Sequence, residues 1–220
     1  MKTLKVTAKD IKKSDSYWSD YIGTTDVSNY DGHIEIDGNL GYVKFLSIKA
    51  TGHIWAEAGS GIKAGWGIEA GEGIEAGSGI EAGWGIEAGE GIEAGWGIEA
   101  GEGIEAGSGI EAGWGIEAGE GIEAGEGIEA GWGIEAGEGI FSLYSYVKAK
   151  LAISFNAKCT LSAGIFSTSG EKEIEAQEII GGKVIYGKVT LLPKEEVKPS
   201  LAGKEVSVTL DGVTYKAVIQ

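Results

Sequence analysis

From Gly59 to Ile140 the chain repeats one hexad, G-x-G-I-E-A, fourteen times. Isoleucine recurs every six residues from Ile62 to Ile140. The position after it is Lys63 once, glutamate twelve times from Glu69 to Glu135, then Phe141. Alanine follows thirteen times, from Ala64 to Ala136. Six is divisible by the strand period of two and not by the helix period of 3.6. A helix would smear isoleucine around its axis, whereas a strand puts isoleucine and alanine on one face and glutamate on the other. Two glycines per hexad would also cost a helix roughly 1 kcal/mol each. Each hexad therefore reads as a short strand, I-E-A, and a corner, G-x-G. Glycine there supplies either a sharp turn or a close backbone approach.

Three hexads close an 18-residue triangular coil. The expected fold is all-β: a triangular parallel β-helix with small capping β elements at both ends. The period persists more weakly outside the perfect repeat, at Ile48 and Ile54 before it and at Val147, Ile153, Cys159 and Ile165 after it. Ile54 to Ile62 is eight residues, so one corner carries an insertion. This predicts an N-terminal cap over 1–31, a solenoid over 32–167 and a C-terminal β element over 168–220. Cys159 falls at an interior position and reads as a buried structural thiol. Residues 168–182 read as a loop or short acidic element. The run from Val206 to Ile219 reads as a hairpin about Asp211-Gly212.

Gly-rich hexads with Ile or Val and a small residue inside resemble the β-solenoids of bactofilins and related polymer-forming proteins. They also partly resemble hexapeptide left-handed β-helices. The position two before the aliphatic residue is small and inward in that second pattern. Here it is often Trp66 or Glu72, which places x at an outward corner. No His-bearing loop interrupts residues 59–140, so the acyltransferase activity common in that family is not implied.

The net charge is −16, and there is no arginine. Between residues 60 and 140 lie eighteen glutamates, twelve in strands and six at corners, against one lysine. Stacked carboxylates ~4.8 Å apart repel by roughly 1 kcal/mol even in water. Alternating Glu and Lys would stabilise a sheet better, so the repetition favours a role for the acid surface over simple solvation. At a spacing of 18 the corner residues segregate. One corner reads Ser60, Ser78, Trp96, Trp114, Trp132; the second Trp66, Trp84, Glu102, Glu120, Glu138; the third Glu72, Glu90, Ser108, Glu126. Stacked tryptophans would stabilise neighbouring coils or serve as anchors for a partner.

Much chemistry is excluded. G-x-G-x-x-x-G is one residue too long for a dinucleotide fingerprint and opens no helix. Calcium-roll repeats need aspartate, and none occurs from 59 to 140. His33 and His53 are the only histidines, and neither has a spaced ligand set. No catalytic residue, metal or cofactor is expected. The N-terminal stretch has no apolar signal core and no window approaches 18 apolar residues. A cytoplasmic protein of a bacterial host cell, with no membrane contact, is therefore expected.

An acidic, arginine-free rod is a poor ligand for nucleic acid itself and a good one for a basic cleft. The expected function is a nucleic-acid mimic that inhibits a DNA-binding defence enzyme, such as a CRISPR effector or a restriction enzyme. The strategy resembles that of DNA-mimicking antirestriction and anti-CRISPR proteins of phages. The expected partner-binding residues are Glu69, Glu72, Glu75, Glu87, Glu90, Glu102, Glu105, Glu120, Glu123 and Glu138, with Trp96, Trp114 and Trp132. The end segments would supply specificity or homodimerisation. The alternative is a polymer-forming scaffold of bactofilin type.

Overall fold

The computed structural model describes residues 1–14, 17–150, 152–155, 160–165, 173–193, 205–210 and 213–218. Cys159 and the Asp211-Gly212 turn lie outside the described residues. The chain forms a β-solenoid of about eight turns, with three mostly parallel sheets and no helix among the described residues. The first face stacks ten strands from Thr3–Val6 to Lys188–Leu191, with Ile74–Ala76, Ile92–Ala94, Ile110–Ala112 and Ile128–Ala130 at its centre. The second stacks ten from Ile11–Lys13 to Glu178–Ile180, centred on Ile80–Ala82, Ile98–Ala100, Ile116–Ala118 and Gly133–Ala136. The third stacks eight from Ile48–Ala50 to Lys183–Tyr186, centred on Ile68–Ala70, Ile86–Ala88, Ile104–Ala106 and Ile122–Ala124.

Within the perfect repeat each residue pairs with the one 18 positions on: Ile74 with Ile92, Glu75 with Glu93, Ala76 with Ala94. Outside it the coils lengthen. Ile34 pairs with Ile54 and Ile54 with Ile74, both 20 apart. The insertion after Ala56 is absorbed as a turn in which the Ser60 amide donates to the Glu57 carbonyl at 2.9 Å, with Gly59 at φ 78°.

The core follows the period of two. Every isoleucine from Ile62 to Ile140 is at most 1% exposed and every alanine from Ala64 to Ala136 at most 7%. Each isoleucine so buried contributes roughly 1.5–3 kcal/mol. Glutamate, between them, faces out. The two corner glycines differ in what they permit. A Cβ on Gly83, Gly101 or Gly119, the first of the pair, would stand 2.1 Å from the carbonyl oxygen of the corner before it. On the second, at Gly85, Gly103 or Gly121, it would stand 3.4 Å from a carbonyl of the corner after it. The first glycine answers a close approach between coils. It does not answer a left-handed turn, since no glycine from Gly61 to Gly139 has positive φ.

Parallel pairing reaches beyond residues 32–167 at both ends. Thr3–Val6 pairs with His33–Ile36. In the stretch expected as a loop or short acidic element, Glu173–Ala176 joins the first face and Glu178–Ile180 the second. The alternation survives there in Glu-Ile-Glu-Ala, with Ile174 and Ala176 fully buried. At the N-terminal end Ile11–Lys13 pairs antiparallel with Trp18–Tyr21. The edge of the third face is covered by residues 27–30, where the Lys49 amide donates to the Val27 carbonyl at 2.8 Å. Glu205–Leu210 and Val213–Val218 form the expected antiparallel pair.

Candidate functional site

Sheet register turns the strand glutamates into three columns of four. The first face carries Glu75, Glu93, Glu111 and Glu129. The second carries Glu81, Glu99, Glu117 and Glu135. The third carries Glu69, Glu87, Glu105 and Glu123. Each column stops against a residue of another kind. Lys49 precedes Glu69 and forms an ion pair with it, and Lys63 does the same for Glu81. Trp55 precedes Glu75 and Lys148 follows Glu129. Phe141 follows Glu123. The hydrogen bond from Lys49 to Glu69 holds the lysine ammonium above its ordinary pKa. The acid surface is thus a band, closed at its start by lysines on two of the three faces.

The columns contain nine vertical carboxylate contacts, each worth roughly 1 kcal/mol of repulsion in water. Salt screens such contacts, with a Debye length that falls from ~30 Å at 0.01 M to ~3 Å at 1 M. Raising NaCl over that range is expected to raise the Tm by at least ~5 °C. A Tm that is flat or falls with NaCl would show that the columns carry no net strain.

The corners bordering the third face hold the remaining acids. Glu102, Glu120 and Glu138 climb the corner between the second and third faces, continuing from Trp66 and Trp84. Glu72 and Glu90 climb the corner between the third and first faces, followed by Ser108 and Glu126. One shallow trough on the third face is lined by Lys49, Trp66, Trp84, Glu69, Glu87, Glu102, Glu105 and Glu123. Most of the expected acidic residues therefore meet on one face and its two borders. Glu75 lies around the corner on the first face, beside His53, Glu72 and Glu90.

Trp96, Trp114 and Trp132 are not part of that assembly. They occupy the remaining corner, between the first and second faces. Their rings stack with centroids 5.5 Å apart and interplanar angles of 7° and 6°. Trp66 and Trp84 stack likewise, at 5.4 Å and 9°. Sequence reasoning missed the start of the long ladder. Trp18 packs tilted against Tyr42, with centroids 4.9 Å apart at 39°, and Tyr42 reaches Trp96 at 6.4 Å and 59°. The Tyr42 ring lies over Gly61 and Gly79, which explains the buried serines Ser60 and Ser78 at this corner in place of tryptophan. Burial first, and the Glu81 charge second, push the Tyr42 phenol above its ordinary pKa.

Stacked aromatic pairs contribute ~0.5–1.5 kcal/mol each beyond area burial. Trp114 makes two such stacks, so Trp114→Ala is expected to cost ~1–3 kcal/mol and to reduce the coupled indole signal in circular dichroism to that of the Trp66–Trp84 pair. An unchanged Tm with an intact signal would remove the ladder from the stability account.

A second cluster lies at the N-terminal end of the acid corner. The Nδ1 atoms of His33 and His53 stand 3.6 and 3.7 Å from Glu72 Oε2. Spacing alone gave no reason to join these residues. The 20-residue coils place His33 under His53, and Glu72 one position before their partner Gly73. Compared with known proteins, the chain matches no family model, no curated protein and no solved structure.

Proposed function

We propose that the protein is a nucleic-acid mimic whose acidic band occupies the basic cleft of a DNA-binding enzyme, inhibiting it. The observation that carries this reading is charge density along a rigid axis. Residues 60–140 hold a net charge of −17. At ~4.8 Å per 18-residue coil this stretch is ~22 Å long, or ~1.3 Å of axis per charge, against ~1.7 Å in duplex DNA. A cleft built to neutralise phosphates would meet a comparable field here and lose no affinity to chain ordering, because the glutamates sit on a preformed scaffold. The third face, with both flanking acid runs, is the surface we assign to this contact. The chain offers phosphate no arginine and its band is acidic, so no direct contact with nucleic acid is assigned to it.

A polymer-forming scaffold is the competing reading. The antiparallel strand on the second face and the covered edge of the third weigh against N-terminal stacking of copies.

The test is capture from a bacterial lysate on immobilised protein, followed by competition with duplex DNA. The expected result is a DNA-binding enzyme that duplex DNA displaces and whose activity the free protein inhibits. Captured proteins that DNA does not displace would overturn the reading. So would self-association into large assemblies on sedimentation with no captured enzyme.

A further inference from the structure

We propose that His33, His53 and Glu72, the last being the first carboxylate of one acid run, bind one divalent transition-metal ion of the zinc class. All three offer a donor atom, and these atoms lie within 4.8 Å of one another. The separations of 3.6 and 3.7 Å from Glu72 Oε2 to the two Nδ1 atoms are close to the ~3.4 Å between tetrahedral ligands ~2.1 Å from a shared ion. The rings stack with centroids 4.1 Å apart at 27°, which aims both imidazole edges the same way. Each donor comes from a different coil, so an ion would clip three coils together.

The protonation pattern suits ligation. His33 Nδ1 accepts a hydrogen bond from the His53 amide at 3.1 Å, so it is the unprotonated nitrogen, and ligation would transfer its one lone pair from that amide to the metal. His53 Nε2 is shielded from water and has no hydrogen-bond partner, yet it lies 3.8 Å from Glu35 Oε1. With Nδ1 on the ion, Nε2–H would donate to Glu35. That is the carboxylate–histidine–metal arrangement that fixes ring orientation and raises ligand basicity. Lys5, 3.4 Å from Glu35, holds this carboxylate from its other side. The site is also made room for: a Cβ on Gly52 would fall 2.2 Å from His33 Nδ1. Two imidazoles and one carboxylate suit zinc and leave a fourth position for water, since the side chains of His53 and Glu72 are 36% and 38% exposed.

The experiment titrates Zn²⁺ by calorimetry, and Co²⁺ by visible absorption, into full-length protein stripped with chelator. One Zn²⁺ per chain is expected, with tetrahedral-type Co²⁺ bands that excess Mg²⁺ does not displace. His53→Ala and Glu72→Gln are expected to weaken Zn²⁺ at least 100-fold. Glu35→Gln should weaken it ~10–100-fold while leaving the Co²⁺ bands in place. Glu90→Gln, the next carboxylate on the same corner, should leave affinity unchanged. Glu72→Gln is isosteric and part-exposed, so it keeps the test valid should His53→Ala disturb the coil. Zn²⁺ binding that is undetectable, that survives in Glu72→Gln, or that falls equally in Glu90→Gln would overturn the proposal.

Discussion

Gly101→Ala is expected to lower the Tm by more than ~10 °C, or to prevent folding, while Gly103→Ala moves it by less than ~3 °C. The two residues occupy the same corner and both flank Glu102. A Cβ on Gly101 would stand 2.1 Å from the Gly83 carbonyl oxygen, a distance that side-chain motion cannot relieve, because the obstacle is backbone of the preceding coil. Relief requires opening the stack at that corner, where the Gly101 amide itself donates to the Ala82 carbonyl at 3.0 Å. Overpacking typically costs about 1–3 kcal/mol, and a backbone obstacle at 2.1 Å puts this case at or above the top of that range. At Gly103 the corresponding Cβ lies 3.4 Å from the Gly121 carbonyl, ordinary contact, and the reduced freedom of the unfolded chain returns ~0.4–1 kcal/mol. Thermal melts of both variants check this directly. Equal losses in the two would mean that glycine is needed at both positions for backbone freedom, against the contact geometry.

The second large effect concerns the acid band. Changing Glu87, Glu105, Glu123, Glu102, Glu120 and Glu138 to glutamine should weaken binding to a captured DNA-binding enzyme at least ~100-fold, or ~3 kcal/mol. Glutamine keeps the shape and outward direction of each side chain, and isoleucine and alanine packing is untouched. The Tm of this variant should therefore hold or rise, since vertical repulsion in the third-face column falls. Changing Glu93, Glu111 and Glu129 on the first face together with Glu99, Glu117 and Glu135 on the second removes the same six charges and should cost less than ~10-fold. Titrations of both variants against the enzyme at fixed ionic strength distinguish them. Affinity that is unchanged by the six substitutions would end the mimicry reading.

The period of six makes the solenoid legible in the sequence, because isoleucine, glutamate and alanine at fixed positions leave only one face to bury. It also makes the corner segregation legible, since 18 is three hexads and the chain closes on itself at that length. Residues 168–182, expected as a loop or short acidic element, show where this reasoning weakens. Glu173–Ala176 keeps its inward isoleucine and alanine, but the interval from Val147 to its partner Ile174 is 27 residues, and periodicity cannot bridge it. Tyr42 was equally hidden: its ring fills a ladder gap opposite Ser60 and Ser78, and nothing in its local sequence marks that reach.

What the sequence determined by itself was the strand, the inward and outward faces, the coil length and the separation of acid from tryptophan. Those follow from repetition alone, because identical hexads must take equivalent places. What only the tertiary structure decided were the contacts between unlike coils. It assigned the two glycines of each corner different duties, since one meets the backbone of the preceding coil and the other does not. It set lysines at the start of two glutamate columns. It carried His33, His53 and Glu72 to one point through coils of 20 residues, where side chains far apart in the chain become vertical neighbours one strand spacing apart.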